Sequence, residues 1–259
     1  GNSSKELPGT AMKLYFVYLE EYASILEEEN CSVMLNFATA PKAKRGHTIS
    51  LPKGFDDVIV DSGGFQLQTN VKTNRVVSVK NYALWLYHAI QEFPNLKYMN
   101  LDIRGDEELT LKHLAYLEDA GFHPIPVWHG SLWGVDNYYL GYYASEYEYI
   151  ALGDIAGKKR SRQKILNITN FVHQNYPGNK FHLLGVGVGA SAICRMLNPY
   201  SIDFSTWANV RLFGHEVIRI GDTVKEQEMS KEDRQRVRVD KEFAQFKVRQ
   251  GIKALKEFE

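Results

Sequence analysis

The sequence is short of cysteine and carries no net charge, and each shortage excludes a class of protein. Two cysteines, Cys31 and Cys194, in 259 residues are too few for a Cys-rich zinc cluster, and they indicate a reducing compartment. The 31 basic and 31 acidic residues cancel, so any nucleic-acid contact would depend on local basic patches. No apolar run approaches the ~18 residues of a membrane span, and no secretory signal is evident. We therefore expect a cytoplasmic protein without membrane contact.

Short apolar segments alternate with amphipathic segments along most of the chain. Several of the apolar segments are almost continuously hydrophobic, which is typical of parallel strands covered on both faces. The stretches between them have helical periodicity, so the sequence predicts an α/β fold, a (β/α)8 TIM barrel, with a doubly wound sheet as the alternative. The eight predicted strands are 13–19, 32–37, 57–62, 97–102, 124–130, 149–154, 181–187 and 201–206.

The chain is predicted to have three parts. Residues 1–11 are expected to be a vector-derived scar or a disordered leader, and residues 12–224 to form the barrel. Residues 225–259 are highly charged, with Phe243, Phe246 and Leu255 available to dock. This pattern predicts a C-terminal helical extension packed on the barrel.

Polar residues occupy the ends of several predicted strands. Asp61, Asp102, His129 and Asp154 come at the ends of the third to sixth strands, and Asp203 lies on the eighth. Active sites of barrels form at the carboxyl ends of the strands, so these side chains are expected to converge. Clustered carboxylates repel one another and are more often functional than structural. For Asp154, a simple helix N-cap remains an equal alternative.

Two kinds of chemistry would use such carboxylates. Metal-assisted hydrolysis is one, but the sequence has no His-x-His or His-x-x-x-His pair, and we predict neither a metal nor a cofactor. The other is glycosyl transfer with retention, in which one carboxylate attacks the anomeric carbon and another handles the proton of the leaving group. The glycines of 185–190 do not have the Gly-x-Gly-x-x-Gly spacing of a dinucleotide loop.

The segment DSGGFQ at 61–66 is very similar to the signature of the tRNA-guanine transglycosylase family, whose fold is a (β/α)8 barrel. Other segments resemble the family in the same order along the chain. They are NLDIRGDE (100–107), PVWHGS (126–131), ALGDIAG (151–157), LLGVG (183–187) and SIDFSTW (201–207). The resemblance covers roughly residues 30–215 and again implies a barrel.

The resemblance also implies roles for individual residues. Asp203 would be the nucleophile at C1′, Asp61 the general acid/base, and Asp102 the acceptor for the N1–H and exocyclic amine of guanine. His129 stands in the place of a family glutamine that contacts the base. Phe65 could stack on the base or simply pack, and both interpretations stay open. The remaining predicted base-binding residues are Ser62, Gly63, Gly64, Gly130, Gly153, Asp154 and Gly185.

The sequence departs from the family after the nucleophile segment. The Cys-x-Cys-x-x-Cys…His zinc site of the tRNA enzymes has no counterpart, so we predict a barrel without the zinc-binding subdomain. The family's Asp-x-x-Asp is represented by one clear aspartate, Asp203. An alternative register would put Thr206 at the nucleophile position and would imply a non-catalytic relative.

The short chain and missing zinc site resemble the DNA-acting branch of the superfamily, found in bacteriophages and bacterial modification islands. This implies DNA and a 7-deazaguanine base as partners, in the cytoplasm of a bacterium or a phage-infected cell. A tRNA enzyme without its zinc module, and a non-catalytic nucleic-acid-binding subunit, stay as alternatives, and whether a partner protein opens the duplex stays open. Two basic stretches could hold the phosphate backbone or be solvated loops. They contain Lys42, Lys44, Arg45, Lys158, Lys159, Arg160 and Arg162.

Overall fold

Eight parallel strands form a single sheet at the centre of the protein. The computed structural model describes residues 12–40, 54–69, 76–130, 137–153, 162–187, 194 and 199–257. The strands run in the order β4-β3-β2-β1-β8-β7-β6-β5, and every pairing between neighbours is parallel. Their bounds are β1 (Lys13–Val17), β2 (Ser32–Asn36), β3 (Val58–Asp61), β4 (Lys97–Tyr98), β5 (Val127–Trp128), β6 (Tyr149–Leu152), β7 (Lys180–Leu183) and β8 (Ser201–Phe204).

The sheet curls in the manner of a TIM fold, but its strand pairing does not close into a continuous barrel. Among the described residues, the edge strands β4 and β5 meet at one isolated bridge between Met99 and Ile125. The N–H of Ile125 donates to the carbonyl of Tyr98 over 2.8 Å. Pro124 and Pro126 flank Ile125 and have no N–H to donate, which limits pairing along this edge. The prediction of an α/β fold is confirmed, and that of a closed barrel is not.

Helices follow most of the strands, as the amphipathic periodicity predicts. Ser78 caps the third helix by accepting from the N–H of Asn81, and Asp106 caps the fourth by accepting from Leu109. Gly121 ends the fourth helix with a φ of +85°, a conformation that favours glycine. The bounds are α1 (Ala23–Glu28), α2 (Gly64–Thr69), α3 (Val79–Glu92), α4 (Glu107–Asp119), α5 (Asn137–Glu146), α6 (Arg162–Asn175), α7 (Asn209–Phe213), α8 (Lys231–Val239) and α9 (Lys241–Lys256). Single 3-10 turns cover Glu20–Tyr22 and Thr206–Ala208.

The two faces of the sheet bury different residues. The outer face packs on the helices through a large hydrophobic cluster that includes Val58 and Val60. The inner face carries a smaller cluster: Tyr15, Met34, Ile59, Met99, Ile125, Val127 and Ala151. Side chains alternate along a strand, so Asp61 shares the inner face with Ile59. The sheet therefore places its strand-end carboxylates above a hydrophobic interior.

The C-terminal region differs from the predicted helical extension. An antiparallel hairpin of β9 (His215–Ile220) and β10 (Thr223–Glu228) crosses the boundary set at residue 224. Gly221, with a φ of +58°, lies in the turn between the two strands, a conformation that favours glycine. Helices α8 and α9 follow, with Leu255 fully buried, Phe243 partly buried and Phe246 51% exposed. None of the described helices is both long and apolar enough to cross a membrane.

Candidate active site

Three aspartates converge at the carboxyl edge of the curled sheet. Asp61 is the last residue of β3, Asp102 follows β4, and Asp203 lies in β8. Asp102 and Asp203 are buried, at 6% and 3% exposure, whereas Asp61 is partly accessible. The negative charges of Asp102 and Asp203 both act on the Asp61 carboxyl and help raise its pKa. The three residues predicted from the strand ends are therefore brought together.

Asp61 is held as a group that can exchange a proton near neutral pH. Its Oδ2 accepts from the side-chain amide of Asn36 over 2.6 Å, and its Oδ1 from the N–H of Gly63 over 3.1 Å. Burial, followed by the charge of Asp102, raises the pKa of Asp61 from 3.8 to about 7, against the lowering effect of these hydrogen bonds. A carboxyl group with such a pKa can both give and take a proton at neutral pH.

Asp102 has the opposite electrostatic environment. Burial alone would raise the pKa of Asp102, but hydrogen bonding and charge from His129, with a further bond from Ser62, outweigh burial and lower it. The hydroxyl of Ser62 donates to Oδ1 over 2.9 Å, and Nε2 of His129 lies 2.6 Å from Oδ2. Asp102 thus stays ionised beside a carboxyl that tends to keep its proton. Neighbouring carboxylates with separated pKa values are characteristic of acid/base chemistry.

Three of the predicted glycines are required by this packing. Gly63 has a φ of +83°, and a Cβ at Gly64 would lie 2.1 Å from the carbonyl oxygen of Asp102. A Cβ at Gly153 would lie 2.5 Å from Nδ1 of His129. The turn after β3 therefore needs its glycine pair to bring Ser62 against Asp102. The residue that follows β6 is a glycine, which leaves room for the His129 ring.

Asp203 is anchored by the loop after β7 and by a histidine on that strand. The N–H of Gly185 donates to Oδ1 of Asp203 over 2.6 Å, and Nε2 of His182 lies 3.3 Å from the same oxygen. Thr206, the alternative nucleophile position, begins the 3-10 turn beyond β8. Of Asp203 and Thr206, only Asp203 carries a charge, and that charge helps raise the pKa of Asp61.

No protein-family model and no characterised protein matches this chain in sequence. The function is therefore inferred from the geometry of the site. Within the described parts of the chain, no group of three or more His, Cys, Asp or Glu side chains is arranged to hold a metal ion. Both cysteines are buried and neither forms a disulfide bond within the described residues, and burial raises the pKa of Cys194.

Sequence reasoning missed three polar residues of the site. Asn36 is the last residue of β2, and its side-chain amide donates to Asp61. It could have been predicted from the same strand-end position that identified the aspartates. Glu107 begins α4, accepts from the N–H of His129 over 3.2 Å, and has a pKa raised by burial. His182 is fully buried on β7, where a single histidine in an apolar strand gave no signal.

Two further predicted base-binding residues, Phe65 and Gly130, differ in their placement. Phe65 lies in the first turn of α2 and is 58% exposed, so it is not a core residue. Gly130 has a φ of +54°, and a Cβ there would lie 2.7 Å from the Trp128 ring. Gly130 thus serves local packing, whereas Phe65 is placed at the accessible rim.

The predicted phosphate-binding residues are not part of this geometry. Most of them, together with Asp154, lie outside the described residues: Lys42, Lys44, Arg45, Lys158, Lys159 and Arg160. Arg162 begins α6, and only its backbone is described. Their role in holding a nucleic-acid backbone stays a prediction.

Proposed function

We propose that the protein is a nucleic-acid guanine transglycosylase, which replaces guanine in DNA with a 7-deazaguanine base. The observation that carries the proposal is the convergence of three aspartates in three different environments. Asp61 has a pKa near neutrality, Asp102 is kept ionised by two donors, and Asp203 is anchored through one oxygen. Base exchange with retention needs these three functions: a proton carrier, a base receptor and a nucleophile.

The first half of the reaction breaks the bond between sugar and guanine. A carboxylate oxygen of Asp203 forms a bond to C1′ while the C1′–N9 bond breaks and its electron pair leaves with the base. Asp61 donates its proton to the departing guanine and becomes a carboxylate. The product is a glycosyl ester of Asp203, which retains the nucleic-acid chain on the enzyme.

The second half repeats these steps in reverse with a different base. A 7-deazaguanine takes the place of guanine, and Asp61 removes its N9 proton. N9 then attacks C1′, the ester bond to Asp203 breaks, and the carboxylate is regenerated. One carboxyl group thus acts first as acid and then as base, for which a pKa of about 7 is well suited.

Asp102 is suited to bind the guanine edge that both bases share. A carboxylate has about four lone-pair positions, and Ser62 and His129 occupy one on each oxygen. The backbone N–H of Asp102 also donates to this carboxylate, and the positions that remain can accept from N1–H and the exocyclic amine. An ionised acceptor matches this donor pair, and the two existing bonds fix its orientation.

DNA is the proposed substrate because the zinc-site cysteines of the tRNA enzymes are missing. The chain continues after β8 into the β9–β10 hairpin and helices, with no cysteine beyond Cys194. To reach C1′ of a paired nucleotide, the enzyme would have to flip it out of the stack, which costs a few kcal/mol. Single-stranded DNA avoids that cost and is expected to react faster than a duplex.

A base-exchange assay tests the proposal directly. Duplex DNA, single-stranded DNA and tRNA, each containing radiolabelled guanine, are incubated with the protein and a series of 7-deazaguanines. We expect release of label from DNA and a protein–DNA adduct that survives denaturation. Release from tRNA alone would replace DNA with tRNA as the substrate. Binding without release or adduct on any nucleic acid would contradict the proposal and favour a non-catalytic subunit.

A further inference from the structure

A chain of polar groups leads from Asp203 along the inner face of the sheet, fully buried at His182 and Ser201 and partly buried at Tyr149. Nε2 of His182 lies 3.3 Å from Oδ1 of Asp203, and Nδ1 of the same ring lies 2.7 Å from the hydroxyl of Ser201. The Ser201 hydroxyl in turn lies 2.5 Å from the hydroxyl of Tyr149. His182 and Ser201 have no solvent exposure, so water does not compete for these bonds.

The strand register explains why these residues meet. Ser201 and Asp203 are two apart on β8 and share its inner face, and His182 pairs with Ser201 across the β7–β8 ladder. The His182 ring packs edge-on against Tyr15, with 5.8 Å between ring centroids. The histidine is therefore fixed by packing on one side and by hydrogen bonds at both nitrogens.

The direction of each hydrogen bond in this chain can be assigned by starting from Tyr149. Burial, above all, raises the pKa of Tyr149, so the phenol keeps its proton and needs an acceptor. Ser201 is the hydrogen-bond partner of that phenol, and the serine proton then turns toward Nδ1 of His182. A neutral imidazole that accepts at Nδ1 must carry its proton on Nε2, which faces Asp203.

We propose that His182 is a positioning residue for the nucleophile, held by Ser201 and Tyr149 as the tautomer that donates through Nε2. With the N–H of Gly185, it fixes Oδ1 of Asp203 by two donors. Among the described residues no hydrogen bond is made to Oδ2, which is thus the oxygen left to attack C1′. This inference rests on the proposed function for the identity of the attacked atom, and on the structure for the tautomer.

The tautomer is tested without any substrate. Protein labelled with ¹⁵N-histidine is compared with the His182→Gln variant, whose missing signals assign His182 in long-range ¹H–¹⁵N spectra. We expect a protonated Nε2 and an unprotonated Nδ1. Ser201→Ala removes the donor to Nδ1 and should shift the spectrum toward a mixture of tautomers. A proton on Nδ1 in the wild type, or an unchanged spectrum in Ser201→Ala, would overturn the proposal.

The effect on the nucleophile is tested by single-turnover adduct formation with a guanine-containing oligonucleotide. His182→Phe keeps a ring but removes the donor, and should slow adduct formation about 100-fold, the cost of a misplaced reacting group, with oligonucleotide affinity unchanged. His182→Gln restores a donor and should recover to within about ten-fold of the wild type. Equal rates for the Phe and Gln variants would mean that the ring only packs, which overturns the proposal.

Two controls separate this inference from the proposed function. Thr169→Val removes another fully buried hydroxyl, bonded to the carbonyl of Ile165 on α6, and should leave both spectrum and rate unchanged. If the wild type forms no adduct with any nucleic acid, the proposed function fails and the nucleophile role of Asp203 falls with it. A protonated Nε2 in that case would still support the hydrogen-bonded chain.

Discussion

The two ends of strand β3 each carry an aspartate, and the two aspartates have opposite electrostatic surroundings. Asp57 precedes the strand and forms ion pairs with Lys13 and Lys97, the latter at 2.8 Å, while the Tyr15 hydroxyl donates to it over 3.1 Å. Asp61, four residues on, meets an amide, a backbone N–H and the charges of two other aspartates. The lysines neutralise the charge of Asp57, whereas the surroundings of Asp61 make its ionised form unfavourable.

From this difference we infer that the amino end of the sheet contributes to stability and the carboxyl end carries the proposed active site. In TIM-like folds the amino ends of the strands serve mainly stability, and the carboxyl ends carry the reacting groups. A stabilising site would place a cation beside each carboxylate, as Lys13 and Lys97 do for Asp57. At the carboxyl edge, the aspartates instead repel one another, as expected where a group must take up and release a proton. Substitutions at the two ends should therefore have opposite consequences.

The largest effect is expected for Asp203→Asn. Removing the nucleophile should lower base exchange by at least about 10⁴-fold, because the covalent intermediate cannot form. Thermal unfolding and oligonucleotide binding should change little. Quantitative trapping of the protein–nucleic acid adduct on a denaturing gel is the measurement. An adduct formed by the Asn variant would show that another group attacks C1′.

The next largest effect is expected for Asp102→Asn. The amide presents donors where the N1–H and exocyclic amine of guanine need acceptors, at a cost of ~1–3 kcal/mol. Affinity for free guanine or a 7-deazaguanine, measured by calorimetry, should fall about 10- to 100-fold. Asp106→Asn is the matched control, since Asp106 only caps α4 and accepts from Leu109. Equal affinities for the Asp102 variant and the wild type would exclude the receptor role.

At the opposite end of β3, Asp57→Asn should change stability and not chemistry. Two lysine ammonium groups lose their shared carboxylate, while the Tyr15 hydroxyl keeps an acceptor. The lysines are about a third exposed, so the loss is expected to be about 2 kcal/mol, less than for a fully buried pair. Urea unfolding measures it, with the rate of base exchange as the comparison. A slower exchange at unchanged stability would contradict the division between the two ends.

The parts of the fold and site that follow local rules could be predicted from the sequence. Apolar runs indicated all eight strands, and the position of Asp61, Asp102 and Asp203 at strand ends was enough to group them. The glycine pair after Asp61 pointed to a close backbone approach, and the distance from Gly64 to Asp102 is the physical reason for it. Hydrophobic periodicity and turn residues depend on a few neighbouring residues, so strands and turns can be predicted from a single sequence.

The parts that depend on distant partners could not be predicted. His182 owes its role to Ser201, 19 residues away, and to Asp203, 21 residues away. The β9–β10 hairpin spans the predicted boundary at residue 224 and was not predicted, and α9 packs against it. Closure between β4 and β5 depends on how two short strands meet at the single Met99–Ile125 bridge, a property of tertiary geometry.

The effect confined to a change of pH, and the one that compares both ends of β3 directly, is the pH dependence of stability at Asp61. Its pKa is raised from 3.8 to about 7, so folded protein holds a proton that unfolded chain releases, and stability falls as pH rises through this window. Asp61→Asn should remove that dependence. Both Asp61 oxygens accept hydrogen bonds, so the amide leaves Gly63 or Asn36 without its acceptor, but this loss is the same at every pH and cancels when two pH values are compared.

Between pH 4 and pH 8 we expect the variant to gain on the wild type by about 1.4 kcal/mol for each unit of the pKa shift, on the order of 4 kcal/mol. Urea unfolding at both pH values measures it. Asp57→Asn is the comparison, because the Asp57 carboxylate is paired with lysines, and this variant should show no such gain. Parallel behaviour of the two variants would mean that the two ends of β3 do not differ electrostatically.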